Sequence, residues 1–496
     1  MLDVVSCENM RKSDAHTIEN GISGAELMWR AAMGIYESVQ WHGRVGIVCG
    51  SGNNAGDGYA LALILNEKGI DCELVLTSDK LSPDGEYYYK KCRDVSIKSY
   101  FYGEKPLSEY DIIVDCIFGT GFKGTPRGAQ ADAIEEINKS GAYIVSADIN
   151  SGLNADSGMC ELAVKSDLTV SIGTLKSGHF LGKAKDYIGK ITNVDIGIEI
   201  IDKPYRLIEA SDLKGVFPKR ENFSNKGTYG YTTLIGGCAE YSGAIKLANL
   251  ALCALKAGAG VSRLATARSI SHSVMPYLLE STFYQLDDDD GAIIFNPEQI
   301  DGALKGARSL AIGMGIGARA EAYEIISYVL KNYAIPVIID ADALNALARR
   351  DMSILKDTKC TVILTPHLKE FERLSKNKIE DVLENPIELS RKFALEYGVI
   401  LLLKGASTIV TDGSEVYIVD RGCAGMATAG SGDVLSGILA GICAQSAENH
   451  TLNTCAGAFI NGIAGEMAQA EVGSISMLSS DTASKIPNAI EKIVSL

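Results

Sequence analysis

The sequence predicts two α/β domains, of which the first is a doubly wound, Rossmann-like domain. Short runs rich in Val, Ile and Leu alternate with helical periodicity along most of the chain, a pattern typical of helices layered on a parallel sheet. The length of 496 residues exceeds what one ordinary hydrophobic core fills. Residues 198–230 contain prolines and charges without a long period, which places the boundary near residue 213. The predicted domains are therefore 1–213 and 214–496.

The first domain is predicted from strands that are each followed by a loop or a helix. Its elements are the strand Arg44–Cys49, the helix Tyr59–Lys68, and the strands Cys72–Thr77, Ile112–Cys116, Tyr143–Ala147 and Leu168–Ile172. A second series of the same kind begins after residue 220. It comprises the strand Tyr231–Ile235, the helix Gly243–Lys256, the strands Val261–Ala265, Ser309–Gly313, Pro336–Asp340, Thr361–Thr365, Val399–Lys404 and Thr408–Thr411, and the helix Val434–Gln445.

Composition excludes several classes of protein. Hydrophobic residues at 46% and charged residues at 22% are values typical of globular domains. The net charge of −15 argues against nucleic acid or an anionic membrane as a partner. No apolar run reaches the roughly 18 residues of a membrane span, and the N-terminus lacks a basic segment followed by an apolar one. The twelve cysteines include no C-x-x-C pair, which favours reduced thiols. We therefore expect a cytoplasmic protein.

The loop Gly50–Gly58 joins a predicted strand to a predicted helix. Its glycines allow close approach of backbone N–H groups to a ligand, and the helix N-terminus adds partial positive charge, so phosphate suits it. A bare G-x-G-x-x-A pattern is equally consistent with a tight turn. The second strand also lacks a terminal acid that would bind a ribose, which argues against an ordinary Rossmann dehydrogenase.

Two further strand ends carry similar loops. Asp115–Thr125 follows one strand and Asp148–Gly152 follows another. Ligands of open α/β sheets bind at the carboxyl ends of strands, so the three loops are expected to converge on one crevice. The oxygens of Asn54, Asp115 and Ser151 would suit a hard cation, and the carboxylate of Asp148 could move protons.

The first half resembles the N-terminal domain of the YjeF family, the NAD(P)H-hydrate epimerases. The resemblance is carried by SDAHTIENGISGAELM, NNAGDGYALA, DCIFGTGFKG and DINSG. It implies that Asn54, Asp115 and Ser151 bind K⁺, and that Asp148 contacts the substrate and is the acid/base that inverts C6 of the hydrated nicotinamide ring. The residues that it implies hold the hydrated dinucleotide are Asn53, Asn54, Ala55, Gly56, Asp57, Gly119, Thr120, Gly121, Phe122, Lys123, Gly124 and Thr125.

The second half contains the segment Gly425–Gly437, which leads into the helix Val434–Gln445. Glycines and hydroxyl residues ahead of a helix create an anion hole, and Asp433 at its first turn could take a proton from a substrate hydroxyl. The alternative is a capped helix in which this carboxylate only complements the helix dipole. No G-x-x-x-x-G-K-[ST] motif occurs, which excludes a P-loop mechanism.

Three more strand ends carry polar groups in this half: Lys404–Thr408, Asp340–Asn345 and Leu364–Glu370. Together with Lys226–Gly230, Ala257–Gly260 and Gly313–Gly317, these segments resemble the ADP- or ATP-dependent NAD(P)H-hydrate dehydratases. The resemblance implies a ribokinase-like fold, and phosphoryl transfer to the C6 hydroxyl followed by elimination of the phosphate. It implies that the hydrate is contacted by Ala257, Gly317, His367 and Asp433, and the nucleotide with Mg²⁺ by Lys404, Gly405, Ala406, Ser407, Thr408 and Gly432.

The chain departs from the family pattern at a few positions. Asn150 replaces the proline of D-I-P-S-G, and Trp29 replaces the glutamate of L-M-E. Cys423-Ala424 stands where Asn-Pro is frequent, and Met314 where Pro is frequent. None of these removes a proposed catalytic group. The family also leads us to expect a homo-oligomer.

Two other functions fit parts of the sequence. A ribokinase-class small-molecule kinase would share the G-S-G-D segment, but it leaves the first domain unexplained. A first domain that only senses a nucleotide or a partner protein would need neither Asp115 nor Asp148 intact. The sequence does not separate ADP from ATP, or NADHX from NADPHX, the hydrates of NADH and NADPH.

Overall fold

The computed structural model describes residues 1–250, 253–317, 319–446 and 448–496. Its contacts divide the chain into two compact units, one of Asp3–Tyr205 and the other of Arg206–Leu496 together with Met1–Leu2. The division lies a few residues before the predicted boundary. The α/β fold class predicted from the alternating pattern is confirmed in both units.

The N-terminal unit is built on strands that are mostly buried on both faces. Its helices are α1 (Cys7–Glu19), α2 (Gly24–Ser38), α3 (Asn53–Glu67), α4 (Pro83–Asp94), α5 (Ala129–Ile137) and α6 (Ala184–Tyr187). Its strands are β1 (Leu2–Val5), β2 (Val45–Cys49), β3 (Cys72–Leu76), β4 (Ser99–Phe101), β5 (Ile112–Cys116), β6 (Tyr143–Ala147), β7 (Ser166–Ile172), β8 (Leu175–Lys176) and β9 (Ile188–Val194).

Within the described residues, the main sheet of this unit has the order β4-β3-β2-β5-β6-β7-β9, and all its strand pairs are parallel. Alternate residues of one strand pack into different cores: Ile47 packs with α2 and α3, whereas Val48 packs with α5. Helices therefore cover both faces, which is the doubly wound arrangement that the sequence predicts.

The predicted helix Tyr59–Lys68 is wrong at its start, because α3 begins at Asn53. Gly52 is its N-cap and makes no side-chain capping bond. The residues expected in a loop, Asn53–Asp57, instead form the first turn. The side chains of this turn are polar and face a cleft, so the apolar periodicity that predicts a helix does not extend to it. The strands β4 and β9 are absent from the prediction because β4 has only three residues and neither strand is buried enough to give an apolar run.

The C-terminal unit has a larger sheet. Its strands are β10 (Tyr205–Leu207), β11 (Tyr231–Ile235), β12 (Val261–Ala267), β13 (Thr282–Leu286), β14 (Asp288–Asp289), β15 (Ala292–Ile293), β16 (Ser309–Ile312), β17 (Val337–Ile339), β18 (Val362–Leu364), β19 (Ile400–Leu403), β20 (Thr408–Thr411) and β21 (Val416–Val419). Its helices are α7 (Ser242–Leu250), α8 (Cys253–Lys256), α9 (Ser271–Val274), α10 (Pro297–Leu304), α11 (Glu321–Asn332), α12 (Asp342–Ala348), α13 (Leu368–Ser375), α14 (Ile379–Glu384), α15 (Pro386–Tyr397), α16 (Ser431–Gln445), α17 (His450–Val472), α18 (Ser479–Ser484) and α19 (Ile486–Val494).

The strand order of this unit runs β13-β12-β11-β16-β17-β18-β19-β20-β21-β10. Pairs from β13 to β19 are parallel, and β19-β20-β21 is an antiparallel meander. The helix α16 lies against this sheet, where Ser309 Oγ donates to Ala440 O at 2.7 Å. The predicted helix Gly243–Lys256 corresponds to α7 and α8, and its residues 251 and 252 lie outside the described residues.

Where the chain is described, no helix combines the length and the apolar run that crossing a bilayer requires. The described cysteines are all free thiols, and most of them are buried.

Candidate active sites

A cleft with a volume of about 790 Å³ lies in the N-terminal unit, where the loops after β2, β5 and β6 meet α1 and α2. The position agrees with the predicted crevice at the carboxyl ends of parallel strands. The predicted site residues that line it are Asn53, Asn54, Asp57, Gly119, Thr120, Gly121, Phe122, Lys123 and Asp148.

Four of the predicted dinucleotide contacts lie outside that lining. Ala55 is 1% exposed, and a Cβ added at Gly56 would lie 2.4 Å from the Met28 methyl group. Both residues follow Asn54 on the helix and turn toward the core, while Asp57 returns to the cleft side. The lining also ends at Lys123, so Gly124 and Thr125 lie beyond it.

The N-terminus of α3 faces this cleft. Ser51, Gly52 and Asn53 line it, and no atom lies within 4 Å of a Cβ added at Gly52. First-turn N–H groups of a helix have no partner within the helix, and Gly52 supplies no side chain to bind them. The cleft therefore offers an anion such as a phosphate both hydrogen-bond donors and the positive end of the helix dipole.

Beneath the cleft, Asp115 and Ser151 form a buried network, and both are fully buried. Asp115 Oδ2 accepts from Ser146 Oγ and from the Ser151 N–H, both at 2.9 Å, and Oδ1 accepts from the Ser151 hydroxyl. Ser151 Oγ in turn accepts the Phe118 N–H at 2.8 Å. Burial raises the pKa of Asp115, although these hydrogen bonds oppose the rise. The carboxylate thus fixes the loops after β5 and β6 relative to each other.

Asn54 lies next to this network. Its Nδ2 donates to Phe118 O at 2.8 Å, whereas its buried Oδ1 has no hydrogen-bond partner among the described residues. A buried carbonyl oxygen without a donor is unfavourable unless a cation or water occupies the position beside it. No group of three His, Cys, Asp or Glu side chains that could hold a metal occurs in the described part of the chain. One carboxylate with neutral oxygens suits a hard monovalent cation, so the residues fit K⁺.

The central carboxylate of the cleft is Asp148, whose backbone adopts a left-handed conformation with φ 64°. Its Oδ1 accepts from Lys176 Nζ and, at 3.3 Å, from the Ile172 N–H. The Lys176 side chain is only 1% exposed, so its charge lies in a region of low dielectric, where an ion pair with a carboxylate is strong. Strained backbone of this kind persists where surrounding contacts enforce it, and it concentrates at functional sites.

His179 hydrogen-bonds to the backbone of both residues of this pair. Its Nδ1 accepts the Lys176 N–H at 3.1 Å, so its proton is on Nε2, which donates to Asp148 O at 2.8 Å. Burial, reinforced by the Lys176 charge, lowers the pKa of His179 to about 4. The ring is therefore neutral at physiological pH, and it positions Asp148 and Lys176 by hydrogen bonds only.

Sequence analysis missed Lys176 and Asp14 as site residues. Lys176 ends a two-residue strand that periodicity does not reveal, and Asp14 lies within the SDAHTIENG segment. Both line the cleft with Asp57 and Asp148. Burial, with a smaller effect of Asp148, raises the pKa of Asp14 to about 6, and burial raises that of Asp57 well above its usual value.

The departure at Asn150 has a structural role. This fully buried side chain donates from Nδ2 to Val164 O at 2.9 Å and to Tyr187 O at 3.0 Å, and its Oδ1 accepts from Thr169 Oγ1. An amide network thus fixes a loop that a proline would otherwise stiffen. Trp29, the other departure, packs against the core and stacks on Tyr88 with ring centroids 6.1 Å apart.

In the C-terminal unit, three strand ends and a helix start bring charged groups together. Lys404 Nζ donates to Asp340 Oδ1 at 2.9 Å, and Ser436 Oγ of α16 donates to Asp340 Oδ2 at 2.7 Å. A Cβ added at Gly432 would lie 3.3 Å from Lys404 Nζ and 3.5 Å from Asp340 Oδ2. Burial lowers the pKa of Lys404, but the Asp340 and Glu370 carboxylates outweigh it and leave the pKa raised.

Asp433 lies in the first turn of α16, next to this group. Gly430 caps the helix with φ 91°, a conformation that favours glycine, and makes no side-chain capping bond. Burial, followed by the Asp340 charge, raises the pKa of Asp433 to about 7. A carboxylate with such a pKa is poised to exchange protons at neutral pH beside an anion-binding helix terminus.

His367 is the N-cap of α13. Its Nδ1 accepts the N–H groups of Lys369 and Glu370 at 3.1 and 3.3 Å, which leaves the proton on Nε2. Half of its side chain is exposed, and Lys404 N donates to Pro366 O, so the ring stands beside the Lys404 strand end. Burial, then the Lys404 charge, lowers the pKa of His367.

The other predicted contacts of this unit are Gly317 and the segment 405–408. Gly317, with φ 87°, donates its N–H to Asp342 Oδ2 at 2.9 Å, and Asp342 also raises the pKa of Asp433. In the turn between β19 and β20, Gly405 and Ala406 are exposed, whereas Ser407 is buried and donates to Asp420 Oδ1 at 2.7 Å. Thr408 begins β20.

The predicted contact Ala257 lies at the opposite end of α16 from Asp433. Ala257 is fully buried, and its carbonyl accepts from Gln445 Nε2 at 2.7 Å. Gln445 is the last residue of α16, whereas Asp433 lies in its first turn; at 1.5 Å rise per residue, the two ends are about 18 Å apart. The glycine-rich turn after Ala257 allows α8 to pack closely on α16, since a Cβ added at Gly258 would meet Gln445 and one at Gly441 would meet Ala254. Tyr241, which precedes α7, and Ala244 within α7 lie against Gly315.

Two family models match the chain. The model described as NAD(P)H-hydrate dehydratase matches residues 232–488, and the model described as YjeF-related protein N-terminus matches residues 24–178.

Curated relatives match both units together. The chain is 33% identical to the bifunctional NAD(P)H-hydrate repair enzyme of Moorella thermoacetica, over 94% of this chain and 92% of that protein. It is 32% identical to the enzyme of the same name from Archaeoglobus fulgidus, over 99% of each.

Solved structures match the second half. One is an ADP/ATP-dependent NAD(P)H-hydrate dehydratase from Bacillus subtilis co-crystallised with ATP/Mg²⁺, with a TM-score of 0.51, 25% identity, and coverage of 58% of this chain and 99% of that chain. Another is a ribokinase-like superfamily protein from Enterococcus faecalis, with a TM-score of 0.50, 25% identity, and coverage of 59% and 97%. The expected ribokinase-like fold of the second domain is thereby confirmed.

Proposed function

The chain belongs to the family of bifunctional NAD(P)H-hydrate repair enzymes, and on that basis we propose that it epimerises hydrated NADH or NADPH at C6 and dehydrates the S epimer in a nucleotide-dependent reaction. The observation that carries the proposal is that each unit places a carboxyl group near a helix N-terminus that no side chain caps, after β6 near the start of α3 and in the first turn of α16. These groups are Asp148 and Asp433. Relatives that match both units over nearly their full length bear the name of this bifunctional enzyme.

In the epimerase unit, the cleft would hold the hydrated dinucleotide between α3 and the loop after β5. The N–H groups at Ser51–Asn53 would bind phosphate, and Gly119–Lys123 would form the opposite wall. Asp148, paired with Lys176, would act as the base at the C6 hydroxyl.

We assign the K⁺ of this unit to Asn54, Asp115 and Ser151. The support is the unpartnered buried Oδ1 of Asn54 beside the Asp115–Ser151 network. Bound there, the cation would supply positive charge near the substrate and would hold the loops after β2, β5 and β6 together. We retain Ala55, Gly56, Gly124 and Thr125 only as neighbours of substrate contacts, because the cleft lining does not include them.

In the dehydratase unit, Asp433 would take the proton of the C6 hydroxyl as that oxygen attacks the terminal phosphoryl group of the nucleotide. The phosphate then leaves C6 as a proton is lost from C5, which restores the double bond of NADH. Free N–H groups at the start of α16 and the Lys404 ammonium would stabilise the charge on the phosphoryl group. Gly317 and His367 would contact the hydrate, and Lys404–Thr408 with Gly432 the nucleotide.

Mg²⁺ would accompany the nucleotide and neutralise its phosphates. ADP and ATP both remain candidates, because the Bacillus subtilis structure that resembles this unit is named for both. The described free thiols support a cytoplasmic setting. We also propose a homo-oligomer that acts on small molecules and binds neither nucleic acid nor a membrane, in keeping with its net charge of −15.

The test is to incubate the protein with mixed R and S NADH hydrate, Mg²⁺ and either ADP or ATP, and to follow the absorbance of reduced nicotinamide. We expect complete recovery of NADH with at least one nucleotide, and no recovery by Asp433→Asn. The same traces identify the preferred nucleotide. No recovery by the unaltered protein with either nucleotide would contradict the dehydratase assignment and favour a ribokinase-class kinase, which would release a stable phosphorylated alcohol.

A further inference from the structure

The epimerase cleft contains more proton-carrying groups than a single catalytic aspartate requires. Asp14 on α1, Asp57 on α3 and Asp148 after β6 all line it, and Lys176 is the buried cation among them. Within the described residues, the Asp14 and Asp57 carboxyl groups make no hydrogen bond to protein, whereas Asp148 is held by Lys176 and by the Ile172 N–H. The cleft thus contains one anchored carboxylate and two that remain available to a ligand.

Resting on the proposed epimerase function, we propose that Asp14 is a second proton-transfer residue of that reaction, working with Asp148, and that Lys176 is the positioning residue that holds the Asp148 carboxylate in place. Asp14 is set apart from Asp57 by its place in the fold. Asp57 lies on α3, one turn after the proposed cation ligand Asn54, whereas Asp14 projects from α1 on another wall.

The chemistry of the substrate calls for two such groups. The hydrated ring carries its hydroxyl on a carbon bonded to nitrogen, so C6 can invert by opening and reclosing the ring. On opening, the Asp148 carboxylate accepts the hydroxyl proton, C6 becomes an aldehyde as the C6–N1 bond breaks, and the electron pair stays on N1. The carboxyl group of Asp14 then gives its proton to N1.

Reclosure reverses each transfer. After rotation about the C5–C6 bond, N1 attacks the other face of the aldehyde and returns its proton to Asp14. Asp148 returns its proton to the oxygen, so both residues regain their starting states without an external oxidant, reductant or water. One residue must therefore be ionised while the other is protonated, as in other paired acid/base sites.

The electrostatics of the cleft support this division. The described charged and titratable groups that line the cleft with Asp14 are Asp57, Asp84, Lys123, Asp148, Asp156 and Lys176, and Cys7, Glu8 and Arg11 of its own helix. Burial, then Asp148, raises the pKa of Asp14 to about 6, and Lys176 opposes the rise. A measurable fraction of Asp14 is then protonated near neutral pH, while Asp148 is paired with a lysine.

The experiment measures conversion of R to S NADH hydrate by chromatography, between about pH 5 and pH 9, for the full chain and for Asp14→Asn. We expect the rate of the unaltered protein to fall as pH rises past about 6, because the acid form of Asp14 is lost. Asp14→Asn should lower the rate roughly 100-fold and abolish that fall, and Asp14→Glu should restore the fall. Lys176→Met should move that fall to higher pH, because Lys176 opposes the rise in the pKa of Asp14.

The controls separate this inference from the proposed function. Glu19→Gln alters an exposed carboxylate at the end of the same helix and should leave the profile unchanged. Nucleotide-dependent consumption of the S epimer reports on a folded C-terminal unit, and circular dichroism reports on folding of the whole chain in every variant. If the unaltered protein does not epimerise, the proposed function fails. If it does, and Asp14→Asn retains both the rate and the pH profile, the inference about Asp14 is wrong.

Discussion

Lys404 Nζ donates to Asp340 Oδ1 at 2.9 Å across 64 residues of sequence. The pair joins the carboxyl ends of β17 and β19, and Ser436 of α16 holds the other carboxylate oxygen. A lysine that is fixed in this way points its charge at one place, next to Gly432, where a nucleotide phosphate would lie. The sequence does not show that Asp340 and Lys404 form an ion pair.

Replacing Asp340 by Asn should leave the Lys404 ammonium largely buried without its counter-charge. Loss of one partner from a buried ion pair costs about 3 kcal/mol, so we expect the thermal transition of the C-terminal unit to fall and the KM for nucleotide to rise. Differential scanning calorimetry with nucleotide titrations measures both. The matched control is Asp357→Asn at an exposed position. An unchanged transition and an unchanged KM would show that the pair does not position Lys404.

Gly432→Ala should weaken nucleotide binding without unfolding the protein. The added methyl group would lie 3.3 Å from Lys404 Nζ, in the space assigned to phosphate, while alanine favours the helix by about 1 kcal/mol over glycine. We expect the Kd for ADP or ATP to rise at least about tenfold, equivalent to 1.4 kcal/mol, by isothermal titration calorimetry. At Gly215 an added Cβ meets no atom within 4 Å, so Gly215→Ala should leave the Kd unchanged. Equal affinity of both variants would remove Gly432 from the nucleotide site.

Asp433→Asn should stabilise the protein at alkaline pH while it abolishes dehydration. The pKa of Asp433 is raised from 3.8 to about 7 in the folded chain, so the folded state binds a proton more tightly than the unfolded state does. The free energy of unfolding therefore falls as pH rises between those two values and stays lower above them. Asparagine mimics the protonated acid and removes this loss.

We expect Asp433→Asn to raise the free energy of unfolding by about 1 to 3 kcal/mol near pH 8 and to change it little near pH 4. Thermal unfolding at the two pH values measures the difference. A variant that is less stable than the unaltered protein near pH 8 would contradict the pKa assigned to Asp433.

Removal of K⁺ should slow epimerisation but not dehydration. Exchanging K⁺ for tetramethylammonium leaves the buried Asn54 Oδ1 without a partner, so we expect the R to S rate to fall while consumption of the S epimer continues. Asn54→Ala should abolish the dependence on K⁺, because the unpartnered oxygen is gone. A rate that ignores K⁺ in the unaltered chain would exclude a functional cation at this position.

Predictions based on strand ends agreed closely with the structure. Ile112–Cys116, Tyr143–Ala147, Tyr231–Ile235 and Thr408–Thr411 agree with their observed bounds, because apolar β-rich runs bounded by turns are a local signal. The loops after β2, β5 and β6 converge on one cleft, as parallel topology requires. The first turn of α3 was mistaken for a loop because its polar side chains serve a cleft and not the core.

Tertiary juxtaposition was not predictable in the same way. Lys176 ends a strand of only two residues, and Asp14 lies on a helix whose approach to Asp148 depends on how the unit folds. Asp340 ends a predicted strand, yet nothing in the sequence pairs it with Lys404. Ala257 stays a predicted contact, and the sequence did not indicate that its carbonyl accepts from Gln445.

The central claim is that two separate sites treat the same hydrate in series, and mixing two inactivated variants tests it most directly. Asp148→Ala and Asp433→Asn are each incubated with mixed R and S NADH hydrate, Mg²⁺ and the preferred nucleotide, then combined in one reaction. We expect Asp148→Ala to consume only the S epimer beyond the spontaneous rate, Asp433→Asn to restore no NADH, and the mixture to convert both epimers completely. Rapid consumption of both epimers by Asp148→Ala, or a mixture no better than Asp148→Ala alone, would contradict the claim.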